Sequence, residues 1–259
     1  MKKLFAFLFT LLASISAHGL YLGNPYSPEM IEKGFVLSNE SIFGLKVGYL
    51  GDFVFDRNLT AHGSVQGRID SFSLLTNQGV ITCNLFDRFE VYGLVGATGI
   101  TFSHRPPIDR KRRKYSFHNQ FSWGGGARIV LFDWDQFTCA ASAAYQQAHP
   151  SMRWMTLNGV SLSPKGSIIY REWQGGLALS YHIDLFIPYI GVVYSHVHAQ
   201  MEHLPSDLEL NTHHFSLGSR EHFGLVIGTS FSNAHIIDLT AEIRFFSELA
   251  LSLAANVQF

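Results

Sequence analysis

The chain has 259 residues, 19 lysines and arginines against 20 acidic residues, and two cysteines. So even a balance argues against a nucleic-acid binder, and two cysteines cannot supply a disulfide framework. Twenty-two Phe, ten Tyr and abundant Gly, with a slightly positive mean hydropathy, point to one large all-β domain more apolar than most exported soluble proteins.

Lys2 and Lys3 precede an uncharged run from Leu4 to Ile15, closed by the small residues Ser16 and Ala17. This is a signal-peptide layout, and the run is shorter than the ~20 residues of a helical span. Cleavage near Gly19 is expected, making residues 1–19 a leader, 20–40 an N-terminal periplasmic segment and 41–259 the folded domain.

Ten strands are expected over residues 41–57, 70–85, 88–103, 115–131, 136–148, 168–183, 186–201, 213–231, 236–245 and 248–259. The alternation is clearest at the end, where Ile237, Leu239, Ala241, Ile243 and Phe245 interleave with Asp238, Thr240, Glu242 and Arg244. Helical spacing would scatter these apolar residues, whereas a period of two puts them on one face. The same parity recurs at Trp173, Leu177 and Leu179 against Glu172 and Gln174, and at Phe121, Trp123 and Ile129 against Ser122 and Arg128. A soluble two-sheet sandwich would alternate in the same way, so connection lengths must decide. Brief links at Phe86–Asp87, Phe132–Asp135, Asp184–Leu185 and Ser232–His235 alternate with long ones at 58–69, 104–114, 149–167 and 202–212, and only the last hairpin departs. That is the rhythm of a transmembrane antiparallel up-and-down β-barrel of about ten strands, within about eight to twelve, with short periplasmic turns and longer extracellular loops. A terminal Phe259 after an alternating strand resembles the signal that outer-membrane barrels present to their assembly machinery.

The sequence blocks LYLGNPYSPEMI (20–31), GYLGDFVFDR (48–57), NLFDRFEVYGLVGAT (84–98), GGGARIVLF (124–132), YREWQGGLALSYHIDLFIPYIGV (170–192) and LTAEIRFFSELALSLAANVQF (239–259) run through the chain in order. In these blocks the chain resembles the chlamydial major outer membrane protein family of porins. The resemblance implies diffusion of small solutes, a part in envelope architecture, a homo-oligomer such as a trimer, and surface loops with antigenic and adhesive roles. This chain is much shorter than the usual members, and it is poor in cysteine, whereas the family's envelope role leans on disulfide cross-linking.

In a barrel the parity sends polar side chains to the lumen, because hydrocarbon cannot solvate a charge. Arg128, Glu172, Asp238, Glu242, Arg244 and Glu248 are therefore expected inside, with Asp52 and Asp56 added although Val54 blurs the pattern there. Such charges either select ions by sign or pair across a narrow lumen and hold it shut, since small barrels are filled by their own side chains. Gly124, Gly126, Gly176, Gly224 and Gly228 share the inward parity, and their size favours some opening.

Arg105, Arg110, Lys111, Arg112, Arg113 and Lys114 form a basic extracellular loop suited to lipopolysaccharide phosphates or sulfated host glycans, or simply a solvated loop. Outer-membrane lipid is the expected surrounding; no nucleic-acid partner, metal or other cofactor is indicated. His196 and His198 share one strand face, with His203, His213, His214 and His222 nearby, a pattern fitting metal binding, a pH-dependent lumen or isolated rim histidines. Asp207, Glu209, His213 and His214 supply the residue types of an outer-membrane protease or lipid hydrolase, but no motif fixes their geometry, and the chain is read as a non-enzyme. Cys83 and Cys139 fall on the outward parity, as inert membrane-facing thiols. A closed structural barrel or adhesin without transport is the competing reading.

Overall fold

The computed structural model describes residues 20–30, 43–62, 67–105, 112–157, 159–163, 165–202, 215–233, 236–246 and 248–259, so the leader, residues 31–42, Arg110, Lys111, His203, Asp207, Glu209, His213 and His214 lie outside the described residues. Among the described residues fifteen strands follow in chain order: β1 Phe43–Arg57, β2 Leu59–His62, β3 Gly67–Leu85, β4 Phe89–His104, β5 Arg113–Phe117, β6 Gln120–Trp134, β7 Phe137–Ala148, β8 Met152–Leu157, β9 Val160–Leu162, β10 Ser167–Tyr181, β11 Phe186–Glu202, β12 Phe215–Ser219, β13 Phe223–Asn233, β14 Ile237–Phe245 and β15 Glu248–Gln258. Ten of them close a ring in the order β1, β3, β4, β6, β7, β10, β11, β13, β14, β15 and back to β1. Every neighbouring pair is antiparallel, and closure joins the ends of the domain through pairs from Lys46↔Gln258 to Arg57↔Glu248. The barrel expected from connection lengths is the fold observed.

Alternation explains why these residues form this wall. Val95, Phe121, Trp123, Leu177, Ile190, Ile227, Leu239 and Leu253 stand exposed on the outside, while Thr76, Gln78, Ser122, Gln146, Gln174, Ser230 and Thr240 are buried within. Ring pairs mark both ends of the outer apolar band: Trp123 with Tyr145 at 5.7 Å and Trp173 with Tyr194 at 5.3 Å near the long loops, Phe137 with Tyr181 at 4.8 Å and Phe186 with Phe231 at 5.2 Å near the short turns. Such girdles sit at the two membrane interfaces. At the turn between β3 and β4, Phe86 and Asp87 both adopt positive φ (56° and 54°), the backbone of a two-residue hairpin whose twist matches that of the strands.

Two expected strands are each divided. Residues 115–131 form the end of β5 and most of β6, because β4 pairs with β6 from Phe89 to Thr98 and then hands the same edge to β5 from Thr101 to His104. Residues 213–231 divide likewise into β12 and β13, both on β11. The stretches expected as long loops contain β2, β8 and β9, which with β5 and β12 extend the wall above the ring. Cys83 and Cys139 are unpaired and half-buried.

Candidate functional site: the filled lumen

The lumen is occupied from end to end in three layers. At the periplasmic end, residues 20–28 enter the barrel instead of lying outside it in the periplasm. The Leu22 and Gly23 amides donate to the two carboxylate oxygens of Glu242 at 3.1 and 3.0 Å, and Arg128 donates to the Leu22 carbonyl at 2.7 Å. Lys46 reaches the Ser27 carbonyl at 2.6 Å, and Asn84 donates to that of Pro28. Tyr26 stacks on His182 at 4.8 Å near the turn after β10. Burial raises the Tyr21 phenol well above its ordinary value.

The middle layer is ionic. Arg57 on β1 donates to Glu172 on β10 at 2.8 Å and, through Nε, to Glu248 on β15 at 2.6 Å, with the Tyr170 hydroxyl against the same guanidinium. Since β1 and β10 lie five positions apart in a ring of ten, this contact crosses the full lumen. Arg244 ties Glu248 (2.6 Å), Asp52 (2.6 Å) and Glu242 (3.5 Å) into the same network, and Ser252 donates to Asp52 at 2.7 Å. Tyr189 donates to Glu242 at 2.9 Å, and Arg128 pairs with Glu90 at 3.1 Å. Asn256 donates to Asp238 at 3.3 Å.

Above this the lumen is mainly apolar, with Arg113 and His104 buried toward the rim. Phe72 lies 6.2 Å from Tyr170 across the barrel, Phe102 stacks on Tyr115 at 4.7 Å, and Leu59, Ile100, Met155, Ile168, Val197 and Met201 fill the remaining space, all buried.

Seven of the eight acidic and basic residues expected inside point inward and are buried: Asp52, Arg128, Glu172, Asp238, Glu242, Arg244 and Glu248. Asp56 does not. A bulge between Val54 and Asp56 places two consecutive residues outside, so Asp56 is exposed and accepts the Phe72 amide at 3.3 Å, while Arg57 takes the inward place. Parity alone missed Arg57 for that reason. Lys46 and Glu90 did follow the alternation and were legible by it. The space expected at the inward glycines is used by other side chains: a Cβ at Gly126 would meet the Tyr92 hydroxyl at 2.4 Å, one at Gly228 the Tyr189 ring at 2.2 Å, and one at Gly176 the Leu22 side chain at 2.5 Å.

The basic run also divides. Arg105 pairs with Asp70 at 2.8 Å, Arg112 approaches the Ser103 hydroxyl, Lys114 lies 5.6 Å over the Trp154 ring, and Arg113, carried inward by β5, is buried. His196 faces outward and stacks on His222 at 5.4 Å beside Tyr194, so it does not titrate within the lumen. Among the described residues no group of three or more His, Cys, Asp or Glu side chains is placed to hold a metal.

The family model described as Chlamydia major outer membrane protein matches residues 158–206, the stretch that carries β10 and β11. The major outer membrane porin, serovar C, of Chlamydia trachomatis is 23% identical over 397 aligned positions covering all of both chains, which exceeds the 259 residues here by 138. The relatives thus carry segments with no counterpart in this chain. The major outer membrane porin of Chlamydia psittaci is 24% identical over 293 positions, 75% of each chain. The solved outer membrane protein OprG from Pseudomonas aeruginosa overlaps 88% of this chain and 99% of its own at 8% identity, with a TM-score of 0.40. A closed ring with an apolar exterior, in a sequence similar from end to end to those porins, marks the chain as an outer-membrane β-barrel that is similar to the chlamydial major outer membrane porins.

Proposed function

We propose that the chain is a porin-like barrel, not an enzyme, that passes ions and small solutes by diffusion and contributes to the structure of the outer envelope. The observation that carries this reading is the ring of buried, mutually paired charges on the inner face of a barrel whose relatives are named porins. A path lined by charges of both signs suits small hydrated solutes better than apolar ones. In the state described the path is closed by residues 20–28, by the Arg57–Glu172 contact and by the apolar layer, so conduction requires all three to part. Arg105, Arg112 and Lys114, near the extracellular rim, support contact with lipopolysaccharide phosphates.

The same cross-lumen contact and the apolar layer above it favour a second reading, a closed structural barrel without transport. Planar-bilayer recording of the purified, refolded chain separates the two. A porin gives stepwise conductance whose ion selectivity shifts on Asp52→Lys, and a closed barrel gives no steps.

A further inference from the structure

The wall around residues 20–28 is built to hold peptide backbone. Glu242 offers one carboxylate oxygen to each of two successive amides, while Arg128 and Lys46 point at carbonyls of the same segment. All three side chains are buried. They come from three different strands, β14, β6 and β1, so the arrangement is a property of the whole ring. Backbone contacts of this kind tolerate many sequences, and specificity comes from two positions. The Leu22 side chain packs with Ala178, Tyr189, Val193 and Val226, over a pit that exists because residues 176 and 191 are glycine: a Cβ there would lie 2.5 or 2.6 Å from a Leu22 methyl. Gly23 has φ +73°, and a Cβ on it would lie 2.1 Å from the Arg128 guanidinium. The segment LYLGNPYSP carries no charged side chain of its own, in keeping with a site whose acids and bases already pair with one another.

We propose that the periplasmic half of the lumen is a peptide-binding vestibule for a short, uncharged segment anchored by Leu followed by Gly, and that residues 20–28 are its displaceable resident. The segment is secured by Leu22 in its pit, by Tyr21 packed among Leu50, Val80 and Leu94, by Tyr26 stacked on His182 and by a few polar contacts that water can replace, whereas each wall strand is hydrogen-bonded along both edges. It therefore leaves without unfolding the barrel, and a second peptide of the same chemistry takes its place. The inference concerns what fills the lumen, and it stands or falls apart from solute passage.

The test uses the full chain, inserted in membranes, carrying Gly23→Val or Leu22→Asp. Both changes lie in the segment and leave every wall residue intact. Chymotrypsin cleavage after Tyr21 and Tyr26 is followed by mass spectrometry, with barrel integrity checked by heat-modifiable gel migration. A β-branched residue forced into the left-handed region disfavours docking, so cleavage roughly tenfold faster or more than in the parent chain is expected. A fluorescent peptide of residues 20–28 should then bind the Gly23→Val chain and not the occupied parent, and its Leu22→Ala form should bind roughly tenfold or more weakly. Equal cleavage in the parent and both variants, or peptide binding that is absent from all chains or alike in all, overturns the proposal whatever the conductance of the barrel.

Discussion

Arg57→Met tests whether the ionic layer holds the barrel together across its lumen. The guanidinium is almost fully buried, 2.8 Å from Glu172 and 2.6 Å from Glu248. Removing it affects its partners unequally. Glu248 keeps Arg244 at 2.6 Å, whereas Glu172 is left buried with the Tyr170 hydroxyl and no cation among its described bonds. An uncompensated buried charge costs about 3–5 kcal/mol, and most of that is expected to fall on Glu172. Adding Glu172→Met removes the orphaned carboxylate, so the double variant should recover to within about 1–2 kcal/mol of the parent. Urea unfolding in detergent micelles, read by tryptophan fluorescence, measures all three chains. Should Arg57→Met alone cost less than about 1 kcal/mol, or the double variant be no better than the single, the contact is not a structural crossbar.

Three further outcomes follow from the wall. Val192→Arg puts a charge on the lipid face at mid-strand and should cost about 2–4 kcal/mol in folding into lipid vesicles, against near zero if that face is wet. Phe259→Ala should reduce the amount of protein in the outer-membrane fraction of cells while leaving refolding in detergent unchanged, because the residue's backbone already secures β15 by donating to the Leu45 carbonyl at 2.9 Å. Cys83 and Cys139 should react in membranes with a lipid-soluble maleimide and resist a charged thiosulfonate; equal labelling by both reagents would place them in water.

The ring was legible because lipid imposes a strict period of two: Ile237 to Phe245 and Glu248 to Gln258 read as strands and pair as an adjacent hairpin. Local pattern failed wherever pairing is decided at a distance. β2, β8 and β9 are only four, six and three residues long, too short for alternation, and exist because partner strands offer an edge. The parity of Arg57 was lost at the bulge, since one extra residue exchanges the two faces. Nothing periodic marks residues 20–28, whose Leu22 and Gly23 amides bond to Glu242, 220 and 219 positions away in sequence. Sequence alone therefore leaves that segment in the periplasm, although Gly176 and Gly191, which accommodate Leu22, lie within the stretch that the family model matches.

The 19 residues of β3 have a consequence outside the membrane. At ~3.3 Å per residue and a tilt of about 40°, such a strand rises roughly 45–50 Å, against an apolar band of about 25 Å. Much of the difference stands above the lipid as a stiff collar, braced by β2, β5, β8 and β12. What the barrel presents beyond the lipid along these strands is therefore rigid, hydrogen-bonded sheet.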